Sequence, residues 1–170
     1  MIFPRMKEKS GRYSQLKCEV FGAEELRDYQ TGVFDIVEEL RKLIFCADVI
    51  GRSPEMELVE AEEFVSRHLI GLVGDAPVCV GRYHVVNTDA FVDRFGVLST
   101  HRRQGIGKKC FEALMDDIRK CSGAVVTRII MKLPNSPTNE SLARKLCSSL
   151  NASLLESTSP EIIFVSLNSA

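Results

Sequence analysis

The chain has 170 residues, 45% of them hydrophobic and 26% charged, which is the composition of an ordinary globular protein and a length that predicts one domain. Because 22 basic residues oppose 23 acidic ones and the net charge is −1, no overall positive field attracts nucleic acid or an anionic membrane, and neither is expected as a partner. No apolar run approaches the roughly 18 residues of a membrane span, and the apolar part of the N-terminus is too short for a signal peptide, so a cytoplasmic location is expected.

Cysteine and histidine spacing does not favour a metal site. No two of the six cysteines stand at C-x-x-C spacing, and only three histidines are present, so we expect no bound metal. Cysteines inside apolar runs, such as Cys79 between Val78 and Val80, predict small buried side chains in a reduced compartment. Residues 1–13 are predicted to be a flexible polar tail and residues 14–170 a single domain.

The first part of the domain predicts a strand followed by helical segments. Gln15–Phe21 alternates loosely and ends at a glycine, as a strand does. Apolar residues recur every three or four positions from Ala23 to Phe45, which predicts a helix that Gly32 divides or kinks. Residues 46–62 begin with a turn signal and continue as an acidic run, which is compatible with either a short helix or a loop.

Three strands and a second helix are predicted next. His68–Val73, Val78–Val86 and Ala90–Leu98 are separated by turn residues, which predicts an antiparallel meander. An apolar stripe that begins at Ile106 then predicts an amphipathic helix, and Gly123 ends it.

The C-terminal part predicts one more helix between strands. Ala124–Leu133 is the most apolar strand of the chain and is predicted to be buried on both faces. Asn139–Leu150 follows as a short helix, and Ser153–Glu156 and Glu161–Asn168 close the chain as strands. The order β-α-βββ-α-β-α-ββ predicts a mixed α/β fold.

The loop between the third meander strand and the next helix combines glycines with positive charges. Gly105 and Gly107 let successive N–H groups point to one place, and the helix N-terminus adds about half a positive charge there. Arg102, Arg103 and Lys108 add full charges, so the loop predicts an anion cradle suited to a diphosphate. The alternative is that the glycines only permit a tight strand-to-helix turn.

This loop resembles motif A of the GNAT superfamily of N-acetyltransferases, a hydrophobic strand followed by V-x-P-x-x-R-x-x-G-x-G. Val97, Arg102, Gly105 and Gly107 match the pattern in register, and Ser99 replaces the proline. The resemblance implies the GNAT fold, in which a central, mostly antiparallel sheet of about seven strands is flanked by helices. It also implies acetyl-CoA as co-substrate and a small-molecule amine as acceptor.

The resemblance, which covers roughly residues 15–168, also implies where the cofactor binds. Its pyrophosphate would lie on the N–H groups of residues 103–108, and its pantetheine arm beside Phe95–Leu98, where the family's fourth strand splays from the fifth. The residues implied to bind the cofactor are Phe95, Gly96, Val97, Leu98, Arg102, Arg103, Gln104, Gly105, Ile106, Gly107, Lys108 and Asn139.

Cys147 occupies the place of a tyrosine that serves as the acid in many members of the family. It could protonate the departing CoA thiolate, or it could be a packed, inert cysteine. Because a thiol with a pKa of about 8.5 is a tolerable leaving group at neutral pH, transfer does not depend on this acid.

Two residues are candidates for the base that removes the acceptor's proton. Asp93 precedes Val97 by four positions and is predicted by strand alternation to share a face with Phe95 and Val97, beside the pantetheine path. The alternative is a solvated aspartate paired with Arg94 or with the arginine at position 82. His84 is the second candidate, with a surface or cross-strand histidine as its alternative.

Four cations could bind a phosphate or carboxylate group of the acceptor. They are Arg41, Lys42, Arg82 and Lys132, and solvated positive charge is the alternative for each. The sequences around Arg41 and Arg82 resemble the L-R-x-x-V-F and P-V-G-x-x-R segments of a largely bacterial branch of the superfamily, which places both residues towards the acceptor side.

Three functions remain open on this basis. The leading one is a small-molecule N-acetyltransferase with glucosamine 6-phosphate as the first acceptor, because compact GNAT enzymes of one domain commonly serve that step. The others are a protein lysine or N-terminal acetyltransferase and a CoA-binding regulator without catalysis. A homodimer is expected, because the resemblance implies pairing through the C-terminal strands and the stretch at 161–166 is apolar enough to be covered. An unpaired edge of that composition invites aggregation.

Overall fold

Seven strands form one sheet in the computed structural model. The model describes residues 15–22, 32–46, 65–121, 126–134, 153–155 and 161–167, with the single residues 141, 144, 145 and 148. The strands are β1 Leu16–Phe21, β2 Arg67–Val73, β3 Ala76–Val86, β4 Asp89–Val97, β5 Arg128–Pro134, β6 Ser153–Leu155 and β7 Glu161–Leu167. Their spatial order is β1-β2-β3-β4-β5-β7-β6. The pair β4–β5 is parallel and the other pairs are antiparallel, so the predicted mixed, mostly antiparallel sheet is confirmed.

Two helices cover opposite faces of this sheet. Helix α1 spans Val33–Arg41 and continues as one π-helical turn over Lys42–Cys46, and helix α2 spans Ile106–Cys121. Gly32 has a φ of 65° at the start of α1, a left-handed conformation that favours glycine, which explains why the predicted helix is divided there. Within the described part of the chain, no helix has both the length and the apolar character needed to span a membrane.

Several predicted segments lie wholly or mostly outside the described residues. These are the tail at 1–13, the first part of the predicted helix at 23–31, the undecided segment at 46–62 and the helix at 139–150, of which only four single residues are described.

Each helix buries the apolar stripe that its sequence predicts. The buried side chains of α2 pack with those of β2, β3, β4 and β5, whereas α1 packs on the opposite face against Ile70 and Val80. Burying an aliphatic or aromatic side chain contributes about 1.5–3 kcal/mol, so these two layers account for much of the folding free energy. The buried residues of α2 are Ile106, Cys110, Phe111, Leu114, Met115 and Ile118, and those of α1 and its π turn include Val33, Val37, Leu40 and Ile44.

Strand β5 differs from its prediction in start and in burial. It begins at Arg128 rather than at Ala124, and Arg128 is exposed at the rim, where it pairs with Asp89 of β4. Ile129 and Met131 are buried but Ile130 is only half-buried, so burial on both faces is wrong for this strand. An apolar composition alone does not distinguish a strand that is buried on both faces from one that ends at a charged rim.

Strand β7 is not an edge of the sheet. It pairs with β5 along its whole length and with β6 over residues 163–165. The expectation that an unpaired edge at 161–166 drives dimerisation therefore has a wrong premise, because intramolecular pairing already satisfies this strand.

Four cysteines have described side chains, and they divide into buried and accessible ones. Cys79 and Cys110 are fully buried, as apolar runs predict, whereas Cys18 is half-buried and Cys121 is exposed. The Sγ atoms of Cys18 and Cys110 lie 3.6 Å apart, and a Cβ atom at Gly71 would lie 2.5 Å from the Cys110 Sγ atom. Glycine at position 71 therefore lets α2 approach the sheet closely.

Asp117 connects α2 to the sheet through polar side chains. Its carboxylate accepts hydrogen bonds from Arg67 Nε at 2.7 Å, Arg67 Nη2 at 3.1 Å and the Tyr83 hydroxyl at 2.7 Å. Burial alone would raise the pKa of Asp117, but the hydrogen bonds from Arg67 and Tyr83 lower it below the ordinary value. Burial and the bond to Asp117 in turn raise the pKa of Tyr83.

We expect Asp117→Asn to lower the free energy of unfolding by about 1–3 kcal/mol at neutral pH, because it removes hydrogen bonds to a charged acceptor. A carboxylate whose pKa is lowered by folding stabilises the protein above its unfolded pKa of about 3.9 and loses that contribution as the pH falls through the folded value. The difference from the wild type should therefore shrink at acidic pH. Urea denaturation at neutral and acidic pH measures both effects.

The matched control is Asp116→Asn on the same helix. Asp116 is exposed and pairs at 3.3 Å with Arg119, so its loss should cost only about 0.5 kcal/mol. Equal destabilisation by the two substitutions would contradict the structural role of Asp117.

Candidate active site

Strands β4 and β5 separate part-way along their length. Their parallel register runs from Asp89 opposite Arg128 to Val92 opposite Met131, whereas β4 continues to Val97. A gap between the two strands therefore opens beyond Val92, towards the C-terminal end of β4. This is the splay that the family resemblance implied.

A β-bulge lies at the start of this gap. Arg94 and Phe95 together stand opposite Gly81 of β3, because the register shifts between Val80 and Arg82. Arg94 has a φ of 50°, a left-handed conformation that is uncommon for a side chain of this size. A Cβ atom at position 81 would lie 2.9 Å from the Phe95 ring, so glycine makes room for the bulge. A glycine inside a predicted strand is a signal that could have indicated it.

The bulge reverses the alternation of side chains along β4. Phe95 packs edge-on against Phe111 of α2, with ring centroids 5.4 Å apart, and Val97 joins the same core. Asp93 instead pairs with Arg82 on the face that α1 covers. The prediction that Asp93 shares a face with Phe95 and Val97 is wrong, because one extra residue on a strand inverts the pattern beyond it.

The π turn that follows α1 covers β4 beside the gap. A Cβ atom at Gly96 would lie 2.5 Å from Ile44 Cγ2 and 3.3 Å from the Phe45 ring. Glycine at position 96 therefore permits this close approach. Ile44 and Phe45 were not among the predicted site residues, although π-helical turns are frequent at functional sites.

The loop after β4 turns sharply into α2. The Leu98 N–H donates to the Val78 carbonyl at 2.9 Å, and a short 3-10 turn follows at Ser99–His101. Arg103 and Gly105 both have left-handed backbones, with φ values of 61° and 77°. Two left-handed residues within three positions curve the chain, so that the helix starts directly beside the end of β4.

The first turn of α2 presents unused backbone donors to this loop. The Lys109 N–H makes the first intrahelical hydrogen bond, to the Gly105 carbonyl at 3.2 Å, so the preceding helical N–H groups have no intrahelical acceptor. A Cβ atom at Gly107 would lie 3.3 Å from Val97 Cγ2, which shows how closely this turn approaches β4. Together with the helix dipole, these donors can hold an anion.

The predicted cations of the loop have different surroundings. Arg102 Nε donates to the Val97 carbonyl at 2.9 Å, which ties the loop to the end of β4. Arg103 is exposed, and Lys108 is exposed and 3.8 Å from Glu112. Gln104 Nε2 donates to the Thr100 carbonyl at 3.3 Å, which is an intraloop contact.

The two candidate bases have different surroundings on the α1 face. Asp93 accepts from Arg82 through both oxygens, at 2.7 and 2.5 Å, and its side chain is 34% exposed. His84 stacks on Phe91 with ring centroids 5.3 Å apart, and its buried Nδ1 has no hydrogen-bond partner among the described residues. The geometry therefore places Asp93, at the first position beyond the β4–β5 register, nearer the gap.

The four candidate acceptor cations do not form one exposed cluster. Arg82 and Arg41 are buried, and an Arg41 nitrogen lies 3.3 Å from His68 Nδ1. Lys42 is 40% exposed and forms ion pairs with Glu38 and Glu39 of α1. Lys132 lies on β5 opposite Ile163 of β7. Cys147 and Asn139 lie outside the described residues.

The comparisons with known proteins agree with the fold described above. The model of the acetyltransferase (GNAT) family matches residues 35–142. An acyl-CoA N-acyltransferase from Pseudomonas aeruginosa superimposes with a TM-score of 0.66 at 15% identity, covering 88% of this chain and 98% of that one. The ribosomal-protein-S18-alanine N-acetyltransferase from Escherichia coli gives a TM-score of 0.63 at 15% identity, with coverages of 91% and 95%. The PaiA N-acetyltransferase from Thermoplasma acidophilum, in complex with coenzyme A, gives a TM-score of 0.61 at 10% identity, covering 89% of this chain and 98% of that one.

We expect Gly105→Glu to weaken the binding of coenzyme A by about tenfold or more, because it places a carboxylate among donors arranged for an anion. Isothermal titration calorimetry with coenzyme A measures the loss. Gly74→Glu is the matched control, since Gly74 also has a left-handed backbone, with a φ of 61° and open space around it, in the turn between β2 and β3. The control should share the backbone strain and retain the wild-type affinity, and an equal loss in both variants would contradict the anion site.

Proposed function

The chain belongs to the acetyltransferase (GNAT) family, and from this premise we propose that it transfers the acetyl group of acetyl-CoA to the primary amine of a small anionic acceptor. One observation carries the proposal: the β4–β5 register ends at Val92, so the gap lies towards the same end of β4 at which α2 begins. A ligand held by its diphosphate at the helix can therefore extend an arm into the gap.

The proposed path of the pantetheine arm follows β4. Beyond Val92 the register with β5 ends, so an extended amide-containing arm can bond to the backbone as an added strand does. Phe95 and Val97 lie on the α2 face of this strand, and Gly96 faces Ile44 and Phe45. These residues would line the path of the arm.

Acetyl-CoA supplies a thioester carbonyl that an amine can attack directly, with the C–N bond forming as the C–S bond breaks and the thiolate leaves. An alkyl amine with a pKa of about 10.4 must first lose a proton, at a cost of about 1.36 kcal/mol for each pH unit. Asp93 is the proposed base, because its carboxylate is partly exposed at the opening of the gap. Cys147 is the proposed but dispensable acid.

The sequence predicted an anionic acceptor from four cations. Of these, Arg41 and Arg82 are buried, whereas Lys42 is 40% exposed and pairs with Glu38 and Glu39. Lys42 is therefore the described cation of this set that would meet a phosphate. Glucosamine 6-phosphate remains our first acceptor, because an amino-sugar amine is less basic than a lysine amine and needs little help from a base.

We predict that thiol release from acetyl-CoA will be stimulated most by amino-sugar phosphates in a panel that also contains neutral amino sugars, polyamines and lysine or N-terminal peptides. The matched comparison is glucosamine 6-phosphate against glucosamine, which share the amine and differ in the anion. Peptides turning over best would favour a protein acetyltransferase. CoA binding without stimulation by any amine would favour a regulator.

We also propose that the protein is a homodimer, as the family resemblance implies. The edges of the sheet that are left for pairing are β1 and the three-residue β6, since β7 is interior. Sedimentation at micromolar concentration should give a particle of twice the 19.0 kDa chain mass, and a monomer would refute the proposal.

A further inference from the structure

A charged side chain is buried in the sheet beside the gap. Arg82 is 0% exposed, and its Nε and Nη2 atoms donate to the two oxygens of Asp93 at 2.7 and 2.5 Å. Removing a guanidinium from water is costly unless excellent geometry compensates. A bidentate arginine–carboxylate pair provides that geometry and also fixes the plane of the carboxylate.

The pair ends a polar row that crosses three strands. His68 of β2 stands opposite Arg82 of β3, and Arg82 stands opposite Asp93 of β4. His68 is fully buried, and Arg41 at the end of α1 lies against it. The row therefore runs beneath α1 and reaches the gap only at Asp93.

Exposure within the pair is strongly unequal. The side chain of Asp93 is 34% exposed, whereas that of Arg82 is 1% exposed. A small molecule can therefore reach the carboxylate but not the guanidinium. Each carboxylate oxygen has a second lone-pair site after bonding to Arg82, and an arriving donor would bond there.

The bulge gives a further reason why the Asp93 side chain needs to be held by Arg82. Arg94, the next residue on β4, has a left-handed backbone, and the register with β5 has already ended at Val92. The segment that carries Asp93 thus lacks the β5 ladder beyond that point, and the bond to the rigid strand β3 restrains its side chain.

We propose that Arg82 is a positioning residue, which does not contact the acceptor but holds the Asp93 carboxylate in the orientation that receives the acceptor's amine. This inference rests on the proposed function and assigns Arg82 a role different from the acceptor contact predicted from the sequence. Lysine cannot replace arginine in this role, because a point charge lacks the planar fork that orients a carboxylate.

A double-mutant cycle tests the inference through kcat/KM for the best amine of the panel, starting with glucosamine 6-phosphate. The variants are Arg82→Lys, Asp93→Asn and the two combined. We expect Arg82→Lys alone to lower kcat/KM about tenfold or more and to change it little in the Asp93→Asn background, because the two residues act as one unit. Calorimetry should show an unchanged affinity for acetyl-CoA in each variant.

Arg128→Lys is the matched control, because Arg128 also forms a bidentate pair with an aspartate of β4, Asp89. That pair lies four residues before Asp93, or roughly 13 Å along the strand. Its loss should leave kcat/KM unchanged, whereas a general effect of arginine–aspartate pairs on the sheet would lower it equally and overturn the inference.

The remaining outcomes are also decisive. Multiplicative effects of Arg82→Lys and Asp93→Asn, or a weaker affinity for acetyl-CoA in Arg82→Lys, would overturn the inference and leave the proposed function intact. If Arg82→Lys does not fold, Arg82→Met combined with Asp93→Asn removes both partners and avoids an unpaired charge. Equal kcat/KM in this double variant and in Asp93→Asn supports the inference, and a lower value overturns it. Absence of turnover of any amine by the wild type would overturn the proposed function first, and the inference with it.

Discussion

The bulge in β4 opposite Gly81 is the constraint on which the candidate site depends. It adds one residue to the strand, so that Phe95 packs on α2 while Asp93 turns to the other face and meets Arg82. It also coincides with the end of the register between β4 and β5. The bulge, the end of the register and the Asp93 carboxylate thus lie side by side on β4, and bulges are common next to active sites.

The two faces of the sheet differ: the α2 face is a rigid apolar support, and the α1 face carries the buried polar residues. On the α2 face, the buried stripe and the Asp117 network hold the helix against β2 and β3, which fixes the helix N-terminus beside the end of β4. On the α1 face, buried polar residues replace part of the apolar layer. Buried charges cost free energy unless they are paired, and the buried Arg82 is paired with Asp93.

The local patterns of the sequence predicted the elements but not their irregularities. The apolar stripe from Ile106, the meander and the glycines of the loop all depend on interactions between near neighbours, and they could be predicted. The inverted face of Asp93, the burial of Arg82 and the interior position of β7 depend on register and on strands distant in sequence. A prediction from strand alternation assumes an unbroken ladder, and the bulge opposite Gly81 makes that assumption false for β4.

The burial of Arg82 changes the role that can be assigned to the positive charges of this chain. Because the net charge of the sequence is close to zero, a cationic surface for an anionic acceptor was predicted from Arg41, Lys42 and Arg82. In the structure, Arg82 neutralises a carboxylate and Arg41 lies buried against His68, while Lys42 remains at the surface. Because Arg82 is buried and paired with Asp93, it is not available to bind a phosphate. An acceptor with both an amine and an anionic group would therefore contact different residues of this face.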